Sequence, residues 1–519
     1  MSNSIVEIED TKCVFIFGYN ASTSHPIVAR RINHAKAKGA KVIVCDPRKI
    51  ETARIADIYA PLANGSNVAF LNAMMNVILE EGLQDQKFID EHTENFDAFY
   101  ETVKAYTPES TQHITGIKPE MLREIARTYA KAETATILWG MGVCQFRQGV
   151  RALASLAMLT GNLGKPNVGV NPVRGQNNVQ GACDMGALFN TLPGYQSFAD
   201  PEINTKFAKA WGVPSIPTKP GVPLSEVPEA IMEDKIKAFY IMGEDTLQTE
   251  PDINAVKKAF EKVELLIVQD IFMTQTAAEA DILLPATSCA EHEGVYSAAD
   301  RGFQRFYKAV EPTGDVKDDW VIISEIATAM GYPMHYNNTK EIWDELRSLC
   351  PIYKGATYEK MEGMGYIQWP CTDEGPEDQG TQYLYKGQIF DRPNGKAEFF
   401  ACDWEPPMED LSEEFPLVLS TVREVGHYSC RSMTGNCRAL AALADEPGFV
   451  QMNDQDAKEL GIKNNDLVWI ASSRGKVISR ADVSTRTNKG ACYMTYQWWI
   501  GKCNELNDGH LNAGSRTPE

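Results

Sequence analysis

VFIFGYN, at residues 14–20, decides the fold, because it has the pattern of a buried strand that ends in Gly and a short polar residue. The helical segment SHPIVARRINHAKAKG follows, with Ser24 predicted as its N-cap and with Ile27, Val28 and Ile32 on its apolar face. KVIVCDPR, at residues 41–48, is then a second predicted strand, with Asp46 at its carboxyl end. This strand–helix–strand order predicts a parallel sheet whose ligands bind beyond the carboxyl ends of the strands.

The same pattern recurs in FYIMGED at residues 239–245, in the helical segment INAVKKAFEKV, and in the segment LLIVQDIF, with Asp270 at the strand end. DPRKIETARIADIYAP (46–61) aligns without a gap with DIFMTQTAAEADILLP (270–285), and seven of the sixteen positions are identical. The matches are not confined to core positions, which favours a true repeat over chance similarity.

The repeat predicts two related nucleotide-binding units. Each would offer a helix N-terminus to phosphate and one strand-end Asp to a ribose or a base edge. The G-x-G-x-x-G fingerprint is absent from the sequence, so an ordinary NAD site is not predicted.

The carboxyl-terminal part of the chain has a different pattern. From about residue 415, short strands alternate with turns, in FPLVLST, DLVWIASSRGKVISRADVS and GACYMTYQW. This pattern predicts a β-barrel or a β-sandwich. The stretch at 371–416 is rich in loop residues and is predicted to be a long connection.

Composition narrows the class of protein. The 519 residues carry a net charge of −20, which argues against nucleic acid or an anionic membrane surface as the main partner. No apolar run approaches the about 20 residues of a membrane helix, and the acidic start lacks the pattern of a signal peptide, so a cytoplasmic location is expected. The twelve cysteines form no CxxC, a spacing that supports neither a zinc knuckle nor an iron–sulfur run.

One long polar loop, NPVRGQNNVQGACDMG at residues 171–186, lies between segments that look like core. A glycine-spaced loop of this kind usually wraps a polar ligand. Together with CDPRKIETARIAD, ILWGMG, IMGEDTLQTE, IVQDIFMT, EHEGVYSAADRGFQR and STVREVGHYSCRSMTGN, it closely resembles the molybdopterin-dependent formate dehydrogenases, with the nearest likeness to their H-type catalytic subunits. The resemblance runs over essentially the whole chain.

The resemblance implies an α/β fold with two related Rossmann-like αβα dinucleotide-binding domains and a C-terminal β-barrel, as in the DMSO reductase type. The implied domains are 1–176, 177–290, a connecting region at 291–410 that packs near an iron–sulfur domain, and a truncated barrel at 411–519. The implied cofactor is bis(molybdopterin guanine dinucleotide) with molybdenum or tungsten. A 4Fe–4S cluster is expected in the full-length family protein, but its ligands are not in this chain.

Site residues are implied position by position. Arg174 would lie beside the metal and hold the formate carboxylate, which suits a guanidinium with two parallel donors; a structural salt bridge is the alternative. The cofactor contacts are Gly18, Tyr19, Asn20, Cys45, Asp46 and Arg48 for one guanosine, Gly65 and Asn67 nearby, Met141, Gln145 and Gln176 near the pterin, Gly243, Glu244, Asp245, Gln269 and Asp270 for the second guanosine, and Arg423, Glu424, His427 and Tyr428 from the barrel. A structural histidine is the alternative for His427.

No residue matches the family's cysteine cluster or its metal-ligating selenocysteine or cysteine with the following histidine, so no metal ligand is predicted here. We hypothesise that a UGA codon for selenocysteine was read as a stop and that Met1 is a downstream methionine; a split enzyme is the rival explanation. The carboxyl end is also shorter than in the family. We expect the isolated chain to be inactive.

The implied activity is the reversible two-electron oxidation of formate to carbon dioxide, in anaerobic formate metabolism. The implied partners are an iron–sulfur electron-transfer subunit, a hydrogenase or an NAD-linked module. Two alternatives stay open: another molybdopterin oxidoreductase, of the nitrate or arsenate reductase type, and a non-catalytic scaffold subunit. The intact VRGQNNVQGACDMG loop counts against the scaffold.

Overall fold

The computed structural model describes residues 1–363, 365–444, 446–507 and 511. It divides the chain into two compact units, the first formed by residues 1–175 with 383–519 and the second by 176–382. The first unit is therefore discontinuous in sequence. The domain boundaries expected at 176, 290 and 410 stay a prediction.

The structure contains α-helices, strands and 3₁₀ turns, which have the following bounds. The strands are β1 Cys13–Phe17, β2 Lys41–Cys45, β3 Ile58–Ala60, β4 Thr93–Glu94, β5 Ala135–Trp139, β6 Gly169–Pro172, β7 Ala238–Met242, β8 Leu265–Asp270, β9 Ile282–Pro285, β10 Gly294–Ser297, β11 Gly302–Phe306, β12 Ile367–Gln368, β13 Ala397–Glu398, β14 Val418–Val422, β15 Phe449–Asn453, β16 Leu467–Ala471, β17 Lys476–Ser484 and β18 Ala491–Thr495. The α-helices are α1 Ala21–Ser24, α2 Pro26–Ala37, α3 Asn67–Glu80, α4 Gln86–His92, α5 Phe96–Val103, α6 Pro108–Thr115, α7 Pro119–Ala130, α8 Met141–Cys144, α9 Arg147–Leu159, α10 Val179–Asp184, α11 Pro201–Ala210, α12 Val227–Met232, α13 Thr246–Thr249, α14 Ile253–Lys262, α15 Gln275–Ala278, α16 Asp319–Ala329, α17 Thr339–Leu349, α18 Arg438–Ala441 and α19 Asp454–Glu459. The 3₁₀ turns are Ile5–Asp10, Glu51–Ile55, Pro193–Tyr195, Leu224–Glu226, Pro351–Tyr353, Glu359–Met361, Lys386–Gln388 and Cys503–Glu505.

The first unit is built on a five-stranded parallel sheet in the order β3-β2-β1-β5-β6. All five residues of β1 are buried, as are all five of β5. A central parallel strand is covered on both faces, which explains the unbroken apolar runs CVFIF and ATILW. The predicted strand at 14–20 and the strand-end position of Asp46 are confirmed.

The helix that follows β1 differs from the prediction in two ways. Ser24 ends the short helix α1, and α2 begins at Pro26 with His25 as its N-cap, because proline is favoured in the first helical turn. Ile27 is 64% exposed, whereas Val28 and Ile32 face the core. The predictions of Ser24 as N-cap and of Ile27 as an apolar-face residue were wrong.

The second unit contains the second copy of the repeat as a three-stranded parallel sheet in the order β7-β8-β9. Ile241, Leu266 and Val268 are buried in a hydrophobic cluster on one face. On the alternating positions, Tyr240, Met242 and other apolar side chains are exposed. The second unit also contains the antiparallel sheet β10-β11-β12.

The two copies share a glycine turn. Gly18 and Gly243 each follow the first strand with a positive φ, +56° and +65°, which favours glycine. The amide of Gly18 donates to the carbonyl of Cys45 at 2.9 Å, and the amide of Gly243 donates to the carbonyl of Gln269 at 2.9 Å. The predicted repeat is therefore visible in the backbone of both copies.

The identical threonines and aspartates of the repeat make the same bonds in both copies. Thr52 Oγ1 accepts from the amide of Ser22 at 3.1 Å, and Thr276 Oγ1 accepts from the amide of Leu247 at 3.0 Å. Likewise, Asp57 Oδ2 accepts from the amide of Val42, the second residue of β2, at 2.8 Å, and Asp281 Oδ2 accepts from the amide of Leu266, the second residue of β8, at 2.7 Å. The threonines hold the segment after the first strand of each copy, and the aspartates bind the start of the second strand.

A mixed five-stranded sheet in the order β14-β18-β15-β17-β16 forms the carboxyl-terminal part of the first unit. Its core contains Val450, Met452 and Met494. The predicted change to short strands near residue 415 is confirmed. In the loop-rich stretch before it, β13 pairs in parallel with β4 of the same unit, a long-range contact that the local sequence did not indicate.

Candidate functional site

Four parallel strands of the first unit carry predicted site residues just beyond their carboxyl ends. Because the strands are parallel, these ends meet at one edge of the sheet, where α/β proteins bind ligands. The residues are Gly18, Tyr19 and Asn20 after β1, Asp46 and Arg48 after β2, Met141 and Gln145 after β5, and Arg174 after β6.

A cavity of about 510 Å³ opens in the first unit between this edge and the carboxyl-terminal sheet. Guanidinium groups bind phosphate through paired donors, so an arginine-lined cavity suits a phosphorylated ligand, especially in a chain of net charge −20. Its charged lining residues are Arg48, Arg423, Arg480, Arg486, Glu51, Glu424 and Asp482.

One wall of the cavity is fixed by the loop after β17. The amide of Lys49 donates to the carbonyl of Arg486 at 2.7 Å, and Nε of Arg486 donates back to the carbonyl of Lys49 at 2.9 Å. Arg486 also forms an ion pair with Glu51 at 2.5 Å. Burial alone would raise the pKa of Glu51, but hydrogen bonds from Asn20 and Arg486 lower it to about 2.

Asp46 has the opposite behaviour. Burial raises the pKa of Asp46 to about 6, although the amide of Arg48 donates to its Oδ1 at 3.0 Å and the Arg48 charge opposes the shift. A carboxylate in this position gains from a ligand N–H or O–H donor, because hydrogen bonding favours the ionised form. The ribose hydroxyls and the guanine N–H groups are donors of this kind.

Arg174 lies where the chain leaves the first sheet. The amide of Val173 donates to the carbonyl of Trp139 at 3.0 Å, which extends the pairing of β5 with β6. The carbonyl of Arg174 is 2.6 Å from Nε2 of His25. Burial raises the pKa of Cys144, the last residue of α8, and the positive charge of Arg174 opposes that shift. The charge of Arg174 therefore reaches the carboxyl end of α8.

Two predicted site residues carry buried polar atoms without a hydrogen-bond partner in the part of the chain that the structure describes: the hydroxyl of Tyr19 and Nε2 of His427. The other ring nitrogen of His427 lies 3.1 Å from Oγ1 of Thr434. Buried polar atoms are nearly always satisfied in proteins. These atoms, with the arginine-lined cavity, fit a polar phosphorylated cofactor.

In the second unit the predicted residues form an acidic edge. Burial raises the pKa of Glu244, against a hydrogen bond of 2.6 Å from Thr249. Burial also raises the pKa of Asp270, against two backbone amides. Asp245 accepts from the amide and Oγ1 of Thr276 at 3.0 and 2.7 Å, which leaves this carboxylate committed to the loop.

Some predicted site residues have side chains with structural partners. Cys45 lies in the hydrophobic core, so only its backbone borders the strand end. Nδ2 of Asn67 donates to the carbonyl of Gly142 at 2.9 Å, and the carbonyl of Gly65 accepts from Nε1 of Trp404 at 2.9 Å. Gln269 is buried and bonded to Tyr240 and Asp319. Their contact with a cofactor stays a prediction.

Of the remaining predicted residues, Met141 begins the short helix α8 and the others lie on loops. Met141 is 68% exposed and Gln176 is exposed. After β14, Nη2 of Arg423 donates to the carbonyl of His427 at 3.1 Å, and Gln497 donates to the same carbonyl at 2.8 Å. Gln497 also accepts from the amide of Glu424. Because Gln497 follows β18, these bonds connect the loop after β14, which contains Tyr428, to the end of β18.

Sequence reasoning missed several residues around the site. Thr52 and Thr276 were identifiable, because both are identical positions of the repeat. Arg486 and His25 were not, because their partners Glu51 and Arg174 are separated from them by 435 and 149 residues.

The described residues contain no group of three or more His, Cys, Asp and Glu side chains that could hold a metal ion. No helix in the same part of the chain has both the length and the apolar character needed to cross a membrane.

The protein-family model described as Molybdopterin oxidoreductase matches residues 1–329, and the one described as Molydopterin dinucleotide binding domain matches 417–519. Formate dehydrogenase H of Escherichia coli is 64% identical over 100% of this chain and 73% of its own length. The F420-dependent formate dehydrogenase subunit alpha of Methanocaldococcus jannaschii is 42% identical over 100% of this chain and 76% of its own.

Among solved structures, acetylene hydratase from Pelobacter acetylenicus matches with a TM-score of 0.76 at 19% identity, over 99% of this chain and 79% of that one. At this identity the match shows the fold alone, and it confirms the predicted fold class. The sequence matches go further: this chain belongs to the molybdopterin oxidoreductase family, as a catalytic subunit of its formate dehydrogenase group.

Proposed function

We propose that this chain is a portion of a formate dehydrogenase catalytic subunit, which binds bis(molybdopterin guanine dinucleotide) and reversibly oxidises formate to carbon dioxide. The observation that carries the proposal is Arg174, a half-buried arginine at the carboxyl end of β6. When bound, the cofactor would supply molybdenum or tungsten and a path for two electrons. The relatives named formate dehydrogenase support this substrate.

Arg174 would hold the substrate. Formate is a small planar carboxylate, and a guanidinium can bind both of its oxygens through parallel N–H donors. Its charge is permanent over the working pH range. In this role Arg174 orients the C–H bond of formate and stabilises negative charge during the reaction.

The first unit would hold one guanosine end of the cofactor. Asp46 would accept from the base or the ribose, and Arg48 and Arg423 of the cavity would bind phosphate. Tyr19 and His427 have buried polar atoms for further bonds. Gly18 and Asn20 would form the turn that approaches the ligand.

The second unit would hold the other guanosine end through its copy of the same loop. Gly243 has a positive φ, and a Cβ built on it would meet no atom within 4 Å, so a ligand can approach its backbone closely. Glu244 and Asp270 would accept from the base or the ribose. Gln269 and Asp245 would hold the loop in place.

The finer parts of the assignment stay predictions. They are a metal site of molybdenum or tungsten, a 4Fe–4S cluster in the full-length family protein, an iron–sulfur subunit, hydrogenase or NAD-linked module as partner, and a cytoplasmic location. We also expect the 519 residues alone not to oxidise formate, because none of them matches the metal-ligating selenocysteine or cysteine.

The test replaces Arg174 in the enzyme produced in its native host. For Arg174→Ala we expect kcat/KM for formate to fall about 100-fold to 1,000-fold, with cofactor content unchanged. Arg174→Lys should recover little, because an ammonium group lacks the two parallel donors. Arg123→Ala is the matched control, since Arg123 forms an exposed ion pair with Glu109 at 2.8 Å.

Two results would replace the proposal. Formate kinetics that do not respond to Arg174→Ala, together with nitrate or arsenate reduction that does, would favour the other oxidoreductase class. Native protein without any molybdopterin would favour a scaffold subunit.

A further inference from the structure

His25 forms a hydrogen bond with the backbone of the predicted substrate loop at residues 171–186. It lies between α1 and α2, with φ −145° and ψ 72°. Its Nε2 is 2.6 Å from the carbonyl oxygen of Arg174, which is 149 residues away in sequence. The bond therefore links the first loop of the repeat to the loop after β6.

The hydrogen bond to Arg174 determines which ring nitrogen of His25 carries a hydrogen. A carbonyl oxygen is only an acceptor, so Nε2 of His25 must carry the hydrogen. Burial lowers the pKa of His25, and the charge of Arg423 lowers it further, against the bond to Arg174. The ring is therefore neutral near pH 7, with its hydrogen on Nε2 and directed at Arg174.

The environment holds the ring still. The rings of Tyr19 and His25 are 5.4 Å apart at an angle of 51°, and Nδ1 of His25 is buried without a partner among the described residues. Pro26 follows directly and fixes the backbone at the start of α2. A ring packed in this way presents its single donor in one direction.

The carbonyl of Arg174 lies just beyond the last hydrogen bond between β5 and β6. The strand pairing ends with the bond from Val173 to Trp139, and residues 175–177 are exposed. An anchored carbonyl at Arg174 limits rotation of the peptide from which the guanidinium side chain extends. A side chain that binds a small substrate must be held in place to be effective.

We infer that His25 is a positioning residue for Arg174, which fixes the substrate arginine through a hydrogen bond to its backbone carbonyl. The inference rests on the proposed role of Arg174 and adds a residue that does not itself touch formate.

The test uses the enzyme produced in its native host with three variants. His25→Phe keeps an aromatic ring beside Tyr19 and removes the donor, whereas His25→Gln keeps a donor of similar reach. His34→Gln is the matched control, because His34 lies on α2 with a side chain that is 44% exposed. His25→Asn, whose amide is too short to reach the carbonyl, replaces His25→Phe if that variant does not accumulate.

For His25→Phe we expect the KM for formate to rise about tenfold, which corresponds to the loss of one hydrogen bond of about 1.4 kcal/mol. We expect a smaller change in kcat. His25→Gln should restore most of the wild-type KM, and His34→Gln should leave it unchanged.

A second readout does not depend on activity. Hydrogen exchange of the amides at 174–178 should become faster in His25→Phe than in wild type, while exchange in β1 and β5 stays the same. Wild-type KM and wild-type exchange in His25→Phe would overturn the inference. If Arg174→Ala leaves formate kinetics unchanged, the proposed function fails instead, whatever the His25 variants show.

Discussion

The two copies of the repeat agree at their strand ends and differ in their surroundings. Both have the glycine turn and a threonine that accepts from an amide of the short helix after the first strand. In the first unit, β1 has strands on both sides and is buried throughout, whereas β7 is an edge strand with exposed residues in the part of the chain described. The repeat is therefore preserved in the polar loop at the strand ends, whereas the core packing around that loop differs between the copies.

Charge separates the copies as well. The first unit lines its cavity with arginines, whereas the second places Glu244, Glu250 and Asp270 near one another, with the pKa of Glu250 raised to about 7 by burial and by the charge of Glu244. Glu250 occupies the position of His25 in the repeat, before the equivalent proline. The same glycine turn is thus surrounded by positive side chains in the first unit and by carboxylates in the second.

The largest expected effect tests the difference in burial. Phe15 is fully buried in β1, with its ring 5.5 Å from that of Tyr129, whereas Met242 in β7 is 51% exposed. Phe15→Ala should lower the free energy of unfolding by about 3–5 kcal/mol because it leaves a cavity. Met242→Ala should change it by less than about 0.5 kcal/mol. Hydrogen exchange of the amides in β1 and in β7 measures the two changes in free energy. Equal losses in the two variants would contradict the difference in burial between β1 and β7.

The threonine links test whether the shared bonds have equal strength. Thr276 donates to the carboxylate of Asp245 at 2.7 Å, and Thr52 donates to the amide oxygen of Asn20 at 3.2 Å. Bonds to charged groups are the stronger, so Thr276→Val should cost about 2–3 kcal/mol and Thr52→Val about 1 kcal/mol. Local opening energies from hydrogen exchange at Leu247 and Ser22 give both values. A larger loss of local stability in Thr52→Val than in Thr276→Val would contradict the prediction that the bond to the charged group is the stronger one.

Asp46 should make stability and ligand binding depend on pH. Its folded pKa of about 6 lies above its ordinary value of 3.8. Its contribution to stability is therefore fully present below pH 3.8 and is lost as pH rises through 6. Asp46→Asn should gain stability relative to wild type over that range, as measured by urea unfolding at a series of pH values. A difference that does not change with pH would show that Asp46 is not buried as described.

The smallest effect concerns the helix start that the sequence misassigned. Ile27 corresponds in the repeat to Asp252, whose side chain accepts from the amide of Ala255 at 3.3 Å. Ile27 is exposed and lies in the first turn of α2. Ile27→Asp should change the free energy of unfolding by less than about 0.5 kcal/mol, because a carboxylate suits a helix N-terminus. A loss above about 2 kcal/mol in urea unfolding would mean that Ile27 packs in the core.

Local sequence pattern was enough to predict where the strands end. Asp46 and Asp270 follow apolar strands, and their strand-end position could be predicted from the strand–helix–strand order. The Ser24 assignment failed because the rule for N-caps was applied without the rule that proline favours the first helical turn. The bonds of His25 and Arg486 connect distant parts of the chain, so no local pattern could indicate them.

The most direct test of the central claim counts guanine nucleotides in the enzyme purified from its native host. Acid hydrolysis would release the nucleotide ends of the cofactor, and the same sample would be assayed for chain concentration and metal. Two guanine nucleotides per chain, reduced in Asp46→Asn and in Asp270→Asn, are the predicted result. One nucleotide per chain, or two that respond to neither variant, would contradict the account that each copy of the repeat holds one guanosine.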